Sequence, residues 1–216
     1  RNAVPDGARR TDVGEEAEPH LMGGLALVCR DRYLIMLALL IVLLNWVNTT
    51  GEYILAEAVT RYADAGLESG TIADKGAFIA GFYSAFYFAV NALTVLIQLL
   101  LVAKLFRLIG VGGAVVVLPL LACLGYGAVA FVPVFTIIGL VKMVENATDY
   151  SLMNTARHAL YLPLTAAQKY EGKITVETFF WRLGDLVQAG VVFAGLHWLG
   201  FGVPQFAGLN AALALA

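Results

Sequence analysis

Lys142, Glu145, Asn146 and Asp149 recur at steps of three and four residues inside an otherwise apolar run. Such spacing places them on one face of a helix. Arg182, Asp185 and Gln188 step by threes in a second run, and Asn45, Asn48, Thr49 and Glu52 do the same in a third. In a fourth, Tyr83, Tyr87, Asn91, Thr94 and Gln98 form a row of aromatic and amide groups. Glu145 and Asp149 repel unless a cation lies beside them. Lys142 stands one turn before Glu145 and is expected to neutralise one carboxylate. Arg182 would neutralise the other if its helix is a neighbour. A carboxylate left unpaired could hold a proton, whereas spare positive charge would attract an anionic solute. The competing reading is that each stripe only glues helices together, at about 0.6 kcal/mol per contact.

The elements that must carry these residues follow from composition. Of 216 residues, 60% are hydrophobic and only 14% charged, against about 45–50% and about 25% in soluble domains. Net charge is -2, which does not suit nucleic acid as a partner. Cys29 and Cys123 lie far apart, and His20, His158 and His197 are scattered. No disulfide framework, metal-ligand spacing or nucleophile–base grouping is visible, so no catalytic residue, metal or cofactor is expected, and the chain does not read as an enzyme. Five apolar segments, at 33–56, 77–101, 109–131, 133–153 and 176–199, each reach roughly the 20 residues a transmembrane helix needs. A sixth begins near Val203. None alternates as barrel strands do. The predicted class is therefore an all-α integral membrane bundle of six helices.

Four of these helices then carry one polar stripe each, and intramembrane ionisable groups cost about 2.5–3.5 kcal/mol on insertion scales. Converging stripes would line a wet cavity. Gly110, Gly112 and Gly113 form a GxGG string with no preceding strand, which reads as the relaxed start of a helix rather than a phosphate loop. Arg30, Arg32, Lys104, Arg107, Arg157, Lys169 and Lys173 fall in alternate connections, so the amino end and the even-to-odd loops are expected in the cytoplasm. Six spans return the carboxyl end there, in the inner (plasma) membrane. Residues 1–30 read as a cytoplasmic linker, and 31–216 as a transmembrane unit whose last helix is cut.

The strings ENATDYSLMNTARHALYLPL and QKYEGKITVETFFWRLGD, together with NWVNTTGEYIL in the first span, resemble the ATP/ADP antiporter (nucleotide transporter) family of plastids and intracellular bacteria. That family is related to the major facilitator fold. The resemblance implies that the chain is the carboxyl-terminal half of a twelve-helix, major-facilitator-like transporter, partnered by an amino-terminal six-helix half. It further implies that the basic residues in or beside these strings face nucleotide phosphates.

The expected function is a secondary transporter exchanging nucleotides of the ATP/ADP type by alternating access. Lys142 and Arg182 would attract phosphate, with Tyr83 or Tyr87 stacking on a base and Asn91 and Asn146 completing a binding surface. Glu52, Glu145, Asp149 and Asp185 would couple or pair charge, and Arg157 would gate the cytoplasmic mouth. Two alternatives stand beside it. One is a major-facilitator-type, proton-coupled carrier of another solute; the other is a membrane scaffold or lipid-binding protein.

Overall fold

The computed structural model of the chain describes residues 21–166 and 168–215. Among these residues every regular element is helical. Of the linker expected at 1–30, residues 1–20 lie outside the described residues, while Leu21–Arg30 form helix α1. Asp31 ends α1 and starts α2 (Arg32–Glu68) by accepting hydrogen bonds from the amides of Tyr33, at 2.8 Å, and Leu34, at 3.3 Å. These satisfy two otherwise unpaired amides at the helix start. Gln168 donates to the other Asp31 oxygen at 2.6 Å, tying this junction to a distant part of the chain.

With 37 residues, α2 is about 55 Å long at about 1.5 Å per residue, well beyond the roughly 30 Å of hydrocarbon. It overruns the span expected at 33–56 because its polar end, EAVTRYADAGLE, holds no Pro and is rich in Ala and Glu, which extend a helix without strain. That end carries the Arg61–Glu57 pair at 2.6 Å, and Lys75 reaches back to Asp64 at 2.5 Å. Asp74 caps α3 (Lys75–Ile97) through the amides of Gly76 and Ala77.

From α3 the chain runs through a wide π-turn (Gln98–Val102) into α4 (Ala103–Phe131). Here the sequence placed a connection between spans, and the backbone stays helical instead. The interruption comes at Gly110, with φ 67° and ψ -175°, a conformation that a residue with a Cβ avoids. The GxGG string therefore acts on the backbone, as its reading as a helix start requires. Pro119 lies inside α4 and removes one ladder hydrogen bond there.

A rod at 135–160 follows, made of α5 (Phe135–Thr148), a π-turn (Asp149–Met153) and α6 (Asn154–Leu160). A second composite rod contains a π-turn (Gln168–Gly172), α7 (Lys173–Thr175), another π-turn (Val176–Phe180) and α8 (Trp181–His197). The short α9 (Val203–Leu213) closes the described chain, with Pro204 in its first turn, where its missing N–H costs nothing.

Three helical runs, Arg32–Glu68, Lys75–Phe131 and Gln168–His197, are long and apolar enough to cross a membrane. The burial pattern agrees with that solvent. Met36, Phe88, Leu99, Leu124 and Leu186 are among many large apolar side chains on the outside, while Lys142, Glu145 and Asn146 are inside. Exposed hydrocarbon on this scale is stable against lipid rather than water. At the centre is α2, packed against α3, α5, α8 and α9. The main apolar core joins Ile54 and Leu55 of α2 to Phe86, Tyr126, Ile138 and Phe206.

Candidate functional site

The polar stripe of α2 is the spine of the site. Its upper part, Asn48 and Glu52, meets α5, and its lower part, Asn45 and Thr49, meets α8. Each half of the stripe receives a different set of charges.

At the upper part, Lys142 is 1% exposed, and its ammonium is fully engaged. It donates to the Asn48 side-chain oxygen at 2.6 Å, to the Asn48 carbonyl at 3.0 Å and to Glu145 Oε2 at 3.1 Å. Glu52 Oε1 lies 3.5 Å away. The Tyr126 hydroxyl of α4 also donates to Glu145 Oε2, and Asn146 Nδ2 donates to Glu52 Oε1 at 3.0 Å. A lone ammonium or carboxylate in such surroundings would be prohibitively costly, so each needs the others. Asp149 opens the π-turn that follows α5 and forms no ion pair among the described residues. Together with Asn48 and Glu145 it lines a cavity of about 70 Å³, otherwise walled by apolar residues such as Leu44, Leu118 and Pro119.

At the lower part, Asn45 Nδ2 donates to Asp185 Oδ1 at 2.7 Å and to the Trp181 carbonyl at 2.9 Å. Thr49 reaches the same Asp185 oxygen at 3.4 Å. The helices can approach this closely because Gly184 faces Asn45: a Cβ there would sit 3.0 Å from Asn45 Nδ2. Arg182 pairs with Asp185 at 3.4 Å, and its side chain is 84% exposed. It does not neutralise Glu145 or Asp149 as the spacing suggested. An i,i+3 partner on its own helix is nearer than any carboxylate of α5, and local pairs form without helix rearrangement.

The aromatic row of α3 is a surface rather than a buried cluster. Tyr83 and Tyr87 are stacked with ring centroids 6.0 Å apart, and Asn91 donates to the Tyr87 carbonyl at 2.8 Å on the same helix. Tyr83, Tyr87 and also Tyr150 lie within Coulombic reach of Glu52. Glu52, with a side chain one-third exposed, is thus where the buried charge network meets this open aromatic face. Arg157 stands elsewhere. Its guanidinium lies 5.4 Å from the Trp181 ring centroid and donates to Asn154 at 3.4 Å, so it links α6 to α8 by a cation–π contact.

No protein-family model, curated protein or solved structure matches the chain.

The geometry thus joins Glu52, Lys142, Glu145 and Asn146 directly, with Asp149 beside them and Asp185 of α8 meeting the α2 stripe lower down, at Asn45 and Thr49. Tyr83 and Tyr87 lie on the Glu52 side of the cluster, whereas Asn91 donates to the Tyr87 carbonyl of its own helix and Arg182 and Arg157 engage partners of their own. Asn48, a member of the α2 stripe, turns out to be the principal ligand of Lys142. Tyr126 was not singled out because it is the one polar residue of its span to reach the network, and a single residue has no phase to read. The signal available was its setting between Gly125 and Gly127. Asn210 of α9, which donates to the Val47 carbonyl at 2.9 Å, was likewise hidden in an apolar run. Among the described residues no group of three or more His, Cys, Asp or Glu side chains is arranged to hold a metal ion.

Proposed function

We propose that the chain is the carboxyl-terminal six-helix half of a major-facilitator-like secondary transporter. Its solute path runs along the face where Glu52, Tyr83, Tyr87 and Asn91 emerge. The observation that carries this reading is the buried Lys142–Glu145 pair, joined to the half-buried Glu52, in a chain that turns many large apolar side chains outward. Packing alone does not require three ionisable groups at the centre of such a bundle. The six crossings would be α2, the two parts of the Lys75–Phe131 run on either side of Gly110, the 135–160 rod, the rod ending in α8, and a sixth of which α9 forms part.

The geometry favours a carrier whose central site is cation-coupled. Lys142 is already shared by two carboxylates and Asn48, so little of its charge remains to attract a phosphate. Uptake of candidate solutes into proteoliposomes containing the full-length carrier tests this. Transport driven by a proton or sodium gradient supports the reading. Transport indifferent to both gradients removes the coupling.

Nucleotide exchange of the ATP/ADP type is the second reading, and one observation favours it. The exposed guanidinium of Arg182 holds Asp185 through Nη1 alone, at 3.4 Å, which leaves its other N–H groups for a phosphate contact, and the stacked Tyr83–Tyr87 rings offer a surface for a base. Labelled ATP uptake against internal ADP, lost in Arg182→Ala, supports exchange; no uptake with any nucleotide pair excludes it.

A further inference from the structure

We propose that Glu52 and Asn146 form a monovalent-cation site, for a proton or a sodium ion, and that Lys142 gives its charge wholly to Glu145 when the site fills. The inference deepens the carrier reading and rests on it for its purpose, but its chemistry can be tested without any solute.

The first ground is the count of charges. Glu145 and Glu52 face one ammonium, at 3.1 and 3.5 Å. With both ionised, one negative charge is in surplus inside a low-dielectric bundle. The two carboxylates are not equivalent. Glu145 is 4% exposed on its side chain, has the closer hold on Lys142 and accepts the Tyr126 hydroxyl as well. Glu52 has the longer contact and is one-third exposed. The surplus charge therefore belongs to Glu52, the member that an ion can reach.

The second ground is independent of charge. Asn146 is fully buried, and its Nδ2 is fixed on Glu52 Oε1 at 3.0 Å. Its Oδ1 has no hydrogen-bond partner. A buried amide oxygen left unpaired is costly, and this one belongs to the amide that holds the surplus carboxylate. A carboxylate with a neighbouring amide oxygen supplies two oxygen donors of the kind hard cations take, and water reaching the exposed side of Glu52 would complete the shell of a sodium ion. A protonated Glu52 would instead offer its own O–H to the same amide.

Lys142 is built to move between two pairings. Its two contacts to Asn48, at 2.6 and 3.0 Å, stay available whichever carboxylate it neutralises. The groups facing Glu52 are Lys142 and Glu145 from α5, Tyr83 and Tyr87 from α3, Tyr126 from α4, and Tyr150 from the π-turn, whose Asp149 faces Glu145 instead. Lys142 is the one cation among these groups. Filling the Glu52 site would therefore change the net charge along the solute path, which is what coupling needs.

The test is the thermal unfolding midpoint of the purified full-length protein in detergent. It is measured in sodium chloride against choline chloride at equal ionic strength, and separately on acidification without sodium. A ligand that binds only the folded form raises the midpoint, and a rise of about 2 °C or more is expected in one arm, which identifies the ion. Glu52→Gln abolishes that rise while its own midpoint in choline stays at or above wild type, since the surplus charge is gone. Glu57→Gln, on the same helix, keeps the rise. If Glu52→Gln does not fold, Asn146→Ser serves instead and raises the cation concentration needed for half the shift about tenfold. No shift in either arm, or an equal shift in Glu52→Gln, overturns the site. An intact shift without transport of any solute removes the carrier reading and leaves the site standing.

Discussion

Gly51 of α2 lies directly against the Tyr126 ring of α4: a Cβ placed on Gly51 would come within 2.9 Å of the ring carbon Cζ and 3.1 Å of Glu145 Oε2. The missing side chain lets the tyrosine hydroxyl reach the buried carboxylate, so a glycine with ordinary helical geometry supports the charge network.

Gly51→Ala should therefore act on Tyr126 rather than on the α2 backbone. Overpacking of this kind costs about 1–3 kcal/mol. The alanine itself favours the helix by roughly 0.8–1.0 kcal/mol, so a net loss of stability isolates the steric term. An unfolding midpoint at or above wild type would show that the ring has room to move.

Tyr126→Phe removes one of the two donors on Glu145 Oε2 without changing the shape of the core. Leaving a buried acceptor short of a partner costs about 1–3 kcal/mol. Because Gly51→Ala disturbs the same contact, the double variant should lose less than the sum of the two single losses, by about 0.5 kcal/mol or more. Strict additivity in a double-mutant cycle would disconnect Gly51 from the hydroxyl.

Lys142→Met leaves Glu145 buried with Tyr126 alone, and breaking a buried ion pair costs about 3–5 kcal/mol. The loss should be recovered in large part by adding Glu145→Gln, since the same principle makes a buried pair replaceable by neutral groups of similar volume. Denaturation of the three proteins in one detergent checks the order: wild type, then the double variant, then Lys142→Met. If Lys142→Met alone is neutral, the network is not what holds α5 against α2.

The sequence made the centre of the site legible because its residues repeat. Asn45, Asn48, Thr49 and Glu52 keep one phase over two turns, as do Lys142, Glu145 and Asn146, and phase is what selects a helix face. It could not show partners. Arg182 was matched to distant carboxylates by charge, whereas Asp185 on its own helix is 3.4 Å away. The amphipathic end of α2 and the helical path through 102–108 were unreadable for another reason. Hydropathy marks where a helix leaves lipid, but a helix ends only where its backbone is broken, here at Ser69 and Gly110. Tyr126 and Asn210, single polar residues in apolar runs, leave no period to detect.

Gly184→Ala probes the lower half of the α2 stripe. The new methyl would meet Asn45 Nδ2 at 3.0 Å and the Val42 carbonyl at 3.2 Å, and neither the carbonyl nor an amide held by Asp185 and the Trp181 carbonyl yields easily. A loss of about 1–3 kcal/mol is expected. Adding Asn45→Ala, which removes the amide but leaves the Val42 carbonyl in place, should relieve part of the penalty specific to Gly184→Ala. A penalty unchanged by Asn45→Ala would mean that α8 does not rest on this side chain.

Arg182→Ala separates binding from packing. With 84% of its side chain exposed and one contact of 3.4 Å to Asp185, Arg182 contributes little to the fold, and its removal should shift stability by no more than about 0.5 kcal/mol. A scaffold whose polar stripes only join helices predicts that nothing else changes. A carrier of anionic solutes predicts a loss of uptake of about tenfold or more, since a charge-assisted contact to phosphate is worth about 1.5–3 kcal/mol. Arg182→Lys keeps the charge but loses the planar fork, so for a phosphate ligand it should restore only part of the activity. Full activity in Arg182→Ala, with the protein inserted and folded, would take this residue out of the solute path and leave the central cation site as the remaining ground for transport.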